Sequence, residues 1–223
     1  MSNIKGLIFD MDGTLVPNMP YHSRAFEEQA RRHGYKLRRP VDGRFFGWHK
    51  DDVIRAVLDS EICEKYGVEF LADEKEEIYR ELYRPDADLT PGLRPLIREA
   101  KSLGIGCAIG SAGPRENVEF IVEATNSAEL MDVTISGNDV QHCKPNPEIF
   151  LTCCERLGQL PAECVVFEDA ISGVQAGVAA GCKVVAISTT TAAEQLVESG
   201  AHLVVDSFEQ MTIAGLEKAL FGE

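Results

Sequence analysis

From residue 91 onward, short apolar runs alternate with stretches whose apolar positions recur at helical spacing. Leu93 to Gly104 reads as an amphipathic helix ended by its glycine, and Ile105 to Ile109 as a short strand. Glu116 to Ala124 is helical, Val133 to Ser136 a weak strand, Pro147 to Leu157 helical, and Cys164 to Phe167 a strand. Ser172 to Ala180 is a small-residue helix, followed by a strand at Val184 to Ile187 and a helix at Ala192 to Ser199. A strand at Leu203 to Val205 and a last helix at Phe208 to Leu220 complete the series. Such alternation predicts a doubly wound α/β core, a parallel sheet covered on both faces. Gly6 to Phe9 is its first strand. Between that strand and Ile105 the pattern changes. Tyr21 to His33, Asp51 to Tyr66 and Asp73 to Tyr83 are helical and heavily charged, which predicts an inserted α-helical cap. Breaker-rich segments at Pro17 to Pro20 and Arg84 to Asp88 mark its borders. The expected division is a core of residues 1–16 and 89–223 and a cap of residues 17–88.

Composition narrows the partners. Hydrophobic residues make up 44% and charged residues 26% of the 223, ordinary for a soluble globular chain. The net charge of −14 argues against nucleic acid or an anionic membrane as a partner. It also means that an anionic substrate needs local positive charge, most simply from a divalent cation. No apolar run has the length of a membrane span, and the first ten residues lack the layout of a signal peptide. Seven cysteines without a zinc spacing read as reduced thiols of a cytoplasmic protein. Cys107 and Cys164, in strand-like contexts, read as small hydrophobes.

Ligands of an open parallel sheet bind beyond the carboxyl ends of its strands. Four such ends carry polar residues here. Asp10-Met11-Asp12-Gly13-Thr14 offers two carboxylates on a turn that Gly13 can sharpen. Gly110-Ser111-Ala112-Gly113 offers a hydroxyl and backbone N–H groups before a helix. Cys143-Lys144-Pro145-Asn146-Pro147 offers a lysine between stiffening prolines, and Phe167-Glu168-Asp169-Ala170 offers two hard-oxygen donors. Each has a plain structural explanation: a turn, a helix entry, a solvated lysine beside a helix start, and acids facing a helix dipole. Together they make a nucleophile, a metal site, a hydroxyl and amide cradle, and a lysine, the inventory of a phosphoryl-transfer site.

The same four segments, in the same order, resemble the motifs of the haloacid dehalogenase superfamily of phosphatases and phosphomutases. The resemblance covers the whole chain, and the gap between Asp10 and Ser111 resembles members with a helical cap after the first strand. It implies Asp10 as nucleophile and Mg²⁺ ligand. Asp12 would be the general acid/base, with its carbonyl on the metal. Ser111 and the amide of Ala112 would hold the phosphoryl group, which Lys144 would bridge to Asp10. Asp169 would ligate Mg²⁺, with Glu168 on the metal or one layer behind it. Pro20 to Phe26 further resembles the cap entry of β-phosphoglucomutases and related phosphatases, where a histidine matching His22 contacts the acid/base aspartate. Phe46-Gly47-Trp48-His49-Lys50 resembles their substrate-reading loop, with Lys50 at the place of a phosphate-binding arginine. Lys75 and Asn117 match further substrate-binding positions. Lysines on a charged helical face are also, more plainly, solvated.

Three departures weigh against a mutase. Lys50 replaces an arginine and loses bidentate phosphate binding. Gly113-Pro114-Arg115-Glu116 carries an extra residue, and Thr14 stands where the mutase pattern has an apolar residue. The expectation is therefore a monomeric Mg²⁺-dependent phosphatase that acts on a small phosphorylated metabolite, a sugar phosphate, through a phosphoaspartate. A β-phosphoglucomutase-type mutase is the alternative. A phosphoaspartate receiver module is the reading from another class, and a dinucleotide-binding domain is weaker because Gly110 to Gly113 holds only two glycines.

Overall fold

The computed structural model describes residues 3–41, 45 and 50–222. The first strand, β1 (Gly6–Phe9), is followed by four helices: α1 (Met19–His33), α2 (Lys50–Val57), α3 (Ser60–Tyr66) and α4 (Val68–Tyr83). The chain then alternates through α5 (Leu93–Ser102), β2 (Gly106–Gly110), α6 (Arg115–Ala124), β3 (Val133–Ile135), α7 (Glu148–Leu157) and β4 (Cys164–Glu168). It ends with α8 (Ile171–Ala179), β5 (Lys183–Ile187), α9 (Ala193–Glu198), β6 (Leu203–Val205) and α10 (Ile213–Phe221). The six strands form one parallel sheet in the order β3-β2-β1-β4-β5-β6, the α/β architecture expected from the alternation.

The central strands are apolar throughout because both of their faces are covered, and the pleat divides them. Leu7, Phe9, Val165, Phe167, Val185 and Ile187 enter one core cluster with Leu93, Ile97, Ile121 and Leu216. Ile8, Cys164, Val166, Val184 and Ala186 enter the other, with Phe150, Cys153, Val174 and Leu196. The cysteines are all free thiols, and Cys107 and Cys164 pack as hydrophobes in their strands.

A third cluster, with Phe26, Ile54, Val57, Leu58 and Leu71, lies among the helices between β1 and β2. Their other side is not independent of the sheet domain: Ala25, Ile78, Tyr79 and Tyr83 belong to the first cluster. The chain enters and leaves these helices at one place, where Thr90 N–H donates to the Leu15 carbonyl at 2.9 Å and Thr90 Oγ1 to the Thr14 carbonyl at 2.7 Å.

Three element boundaries differ from the sequence pattern. Asp51 to Tyr66 is not one helix; it breaks at Leu58-Asp59, because buried Leu58 closes α2 and Asp59 is the extended residue that opens α3. The helix expected from Asp73 starts at Val68, because Leu71 and Ala72 already face the core. The helix expected from Phe208 starts at Ile213. Phe208 is buried as a loop anchor, Gln210 adopts a left-handed φ of 68°, and the Thr212 side chain caps the helix by accepting from Gly215 N–H. No described helix is long and apolar enough to cross a membrane.

Candidate active site

The carboxyl ends of β1, β2 and β4, with the loop after β3, converge on one cavity. Asp10, Asp12, Ala112, Lys144, Glu168 and Asp169 line its floor. From the helices above it come His22, Lys50, Lys75 and Glu76, and from α6 comes Asn117. The Phe46 to His49 part of the expected substrate loop lies outside the described residues.

Lys144 organises the floor. Its Nζ donates to Asp10 Oδ1 at 2.5 Å, Glu168 Oε1 at 2.7 Å and the Gly110 carbonyl at 3.1 Å, so all three protons are used. Burial works against its charge, but Asp10 and Glu168 outweigh burial and hold its pKa above the usual lysine range. Asp10 moves the other way. Burial raises its pKa strongly, and Glu168, Asp169 and Asp12 reinforce the rise against the pull of Lys144.

Glu168 is fully engaged. Its Oε2 accepts the backbone N–H groups of Asp169 and Ala170, both at 2.9 Å, while Oε1 faces Lys144. The carboxylate also lies on Gly173 of α8, where a Cβ would sit 1.6 Å from Oε1. Alanine ordinarily stabilises a helix position relative to glycine. At Gly173 the steric term wins, and Gly173→Ala is expected to cost about 1–3 kcal/mol. Thermal denaturation should show the midpoint falling by roughly 2–12 °C; a midpoint that rises would refute this account.

Asp169 is aimed by two hydroxyls. Thr14 Oγ1 donates to its Oδ1 at 3.2 Å, and Thr190 Oγ1 donates to its Oδ2. Burial and the neighbouring Glu168 still push its pKa up to about 7. Gly13, with a φ of 87°, passes so close that a Cβ would meet Asp169 Oδ2 at 2.2 Å. Asp10, Glu168 and Asp169 each bring a carboxylate oxygen within 4.8 Å of the others. Three crowded hard-oxygen donors with one lysine between them could hold a divalent cation such as Mg²⁺.

Asp12 has a separate set of partners. Asn18 Nδ2 donates to its Oδ1 at 2.5 Å and also lies 2.6 Å from Tyr79 Oη. Lys75 Nζ lies 3.2 Å from His22 Nδ1, and His22 Nε2 lies 3.4 Å from Asp12 Oδ1. Tyr79 stacks on the His22 ring with centroids 3.9 Å apart and fixes its plane. Burial would raise the Asp12 pKa, but the bonds from His22 and Asn18 and the charge of Lys75 lower it below the usual carboxylate value.

Ser111 is buried, and its Oγ accepts from Gly113 N–H at 3.0 Å. Its own N–H is committed to the Ile135 carbonyl at 3.0 Å and is not available to a ligand. Lys50 lines the cavity but is ion-paired with Asp73. Asn117 is buried between Glu76, to which it donates at 2.8 Å, and Arg80, from which it accepts at 2.7 Å.

Comparison with known proteins fits this geometry. The family model described as haloacid dehalogenase-like hydrolase matches residues 4–181. The chain belongs to that family. Its relatives include hexitol phosphatase A of Escherichia coli, 32% identical across 94% of both chains. Another is the Escherichia coli fructose-1-phosphate phosphatase YqaB, 29% identical over 79% of this chain and 92% of that one. CbbY from Rhodobacter sphaeroides, solved in complex with phosphate, superposes with a TM-score of 0.82 at 26% identity over 96% of this chain and 99% of that one. The receiver-module and dinucleotide readings are set aside by the family match.

For this haloacid dehalogenase-like hydrolase, sequence reasoning passed over Asn18, Glu76, Tyr79, Gly173 and Thr190. Asn18 sat in a breaker segment that looked like a linker, and Thr190 in a run of three threonines without pattern. Thr14 looked like a departure from a mutase pattern; it is fully buried with its hydroxyl on Asp169.

Proposed function

We propose that this hydrolase is a Mg²⁺-dependent phosphatase of small sugar-type phosphate monoesters, working through a phosphoaspartate on Asp10. The observation that carries the reading is the division of labour between two carboxylates separated by a single residue in the turn. Asp10 is held by Lys144 as an oriented oxygen, whereas Asp12 is held by Asn18 and His22 as a proton carrier. Asp10 attacks phosphorus; Asp12, a carboxylate until it takes up a proton, passes that proton to the departing alkoxide, which leaves as an alcohol. Water then attacks the acyl phosphate, Asp12 takes its proton, and inorganic phosphate leaves. Ser111 and the Ala112 amide hold the phosphoryl oxygens, and Lys144 balances charge on Asp10 throughout. Asp10, Asp169 and the Asp12 carbonyl would hold the cation, which supplies positive charge to the transferring phosphoryl group. Glu168, with both oxygens occupied by protein donors, positions Lys144 and the Asp169 turn. Helices α1 to α4, residues 17–88, act as a cap over the cavity.

The hexitol and fructose 1-phosphate named for the relatives favour a sugar or polyol ester. A phosphosugar mutase is the second reading, favoured by the contact of His22 with Asp12 from the cap side, which could link closure to proton transfer. The test measures phosphate release from hexose and hexitol monophosphates, with Mg²⁺ and with EDTA. Release is expected with Mg²⁺ and should fall at least ~10²-fold in EDTA. Full activity in EDTA would refute the metal requirement. A faster transfer of phosphate between sugar positions than to water would favour the mutase.

A further inference from the structure

The cap side of the cavity carries a carboxylate that the chemistry above does not use. Glu76 on α4 is buried, 6% exposed, and so is its neighbour Lys75. Lys75 Nζ curls back to lie 2.5 Å from Glu76 Oε1, and Glu76 Oε2 reaches across to Asn117 on α6. Burial alone would disfavour the Glu76 charge, yet Lys75 and His22 keep its pKa below the usual glutamate value. Lys50, the other lysine on this side, is paired with Asp73. Among the described residues that line the cavity, Lys50, Lys75 and Lys144 face five carboxylates, and each lysine has a carboxylate partner. Met19, Phe26, Phe45 and Val53 add apolar lining, and Lys75 Nζ lies 5.2 Å from the centre of the Phe26 ring.

We infer that Glu76 is a specificity-determining residue that makes this pocket select uncharged, hydroxyl-bearing leaving groups and reject esters with a second phosphate. The inference rests on the phosphatase reading. A divalent cation and Lys144 serve the transferring phosphoryl group, so a second phosphate would have to bind on the cap side. There it meets a lysine already neutralised and a buried carboxylate that repels it. Rejection by a like charge is an effective route to specificity, because the unwanted ligand cannot relieve it by moving a little. A polyol faces no such obstacle. Its hydroxyls can donate to Glu76 and accept from Lys75 and Asn117, and its C–H face can lie on the Phe26 and Val53 side.

The experiment compares kcat/KM for glucitol 6-phosphate and fructose 1,6-bisphosphate in the wild type, Glu76→Gln and Asp73→Asn. The wild type should prefer the monophosphate by roughly 100-fold or more, the scale of a like-charge contact in a binding site. Glu76→Gln frees the charge of Lys75 and should narrow that ratio about tenfold, chiefly through KM for the bisphosphate. Asp73→Asn lies at a half-exposed position and frees Lys50, so it carries the test even if Glu76→Gln folds poorly. It should narrow the ratio a few-fold, as a screened surface charge would. A wild type that takes both esters equally, or a ratio unchanged in both variants, overturns the inference. A wild type that hydrolyses p-nitrophenyl phosphate but neither ester overturns this inference alone; one that hydrolyses none of the three overturns the phosphatase reading, and this inference with it.

Discussion

Asp10→Asn should abolish steady-state phosphate release and leave the fold intact. Asparagine has the shape of aspartate, but an amide cannot become an acyl phosphate and regenerate. The expected loss is roughly 10⁵–10⁶-fold, the order seen when a covalent nucleophile is removed from a preorganised site. Stability should not follow activity down. Lys144 keeps Glu168 and the Gly110 carbonyl as partners, and one of the crowded carboxylates disappears. Without added divalent cation, the thermal midpoint should therefore be unchanged or higher. Phosphate release and thermal denaturation on one preparation check both halves. Substantial turnover by this variant would remove the covalent mechanism.

Lys144→Met should lose both activity and stability. The substitution keeps an unbranched apolar stem but withdraws the positive charge from between Asp10 and Glu168, which are joined through it by contacts of 2.5 and 2.7 Å. Removing one partner from a buried ion pair costs about 3–5 kcal/mol, because the remaining charge is left uncompensated. In a chain of this size that is roughly 6–20 °C in the thermal midpoint. Catalysis should fall by roughly 10²–10³-fold, as when a group aimed at developing charge is deleted. Added Mg²⁺ should restore part of the midpoint, since it supplies positive charge to the same carboxylates, but not the rate. An unchanged midpoint in the absence of metal would show that these carboxylates do not depend on Lys144.

The parts of the fold that could be read from the sequence are those where one physical demand dominates. β1 and β4 were legible because burial on both faces forces continuous apolar runs, and the structure places them side by side at the sheet centre. The break at Asp59 was hidden because α2 and α3 share a helical period and only tertiary packing of Leu58 separates them. At the site, Asp10, Lys144, Glu168 and Asp169 were visible because strand-end position and residue chemistry point the same way. Glu76 was not. A glutamate on a charged helix reads as solvated, and nothing local announces that α6 will bury it against Asn117. Gly173 was hidden for a related reason. The contact that requires it is with a carboxylate on the preceding strand, and a small residue in a small-residue helix draws no notice.

The strand order also governs the sequence of events by which the polypeptide reaches its native state. Asp10 is synthesised well before both neighbours of β1: Gly6 pairs with Gly106 on one side and with Cys164 on the other. The lysine that holds its carboxylate is 134 residues downstream. Contacts of such long sequence separation form slowly, because the entropy of closing the intervening chain must be met before they reward it. A nascent chain halted before β4 thus has its first strand only half paired, an apolar edge available to other chains. The architecture that sets the nucleophile at the centre of the mature sheet leaves that strand waiting longest for its partners during synthesis.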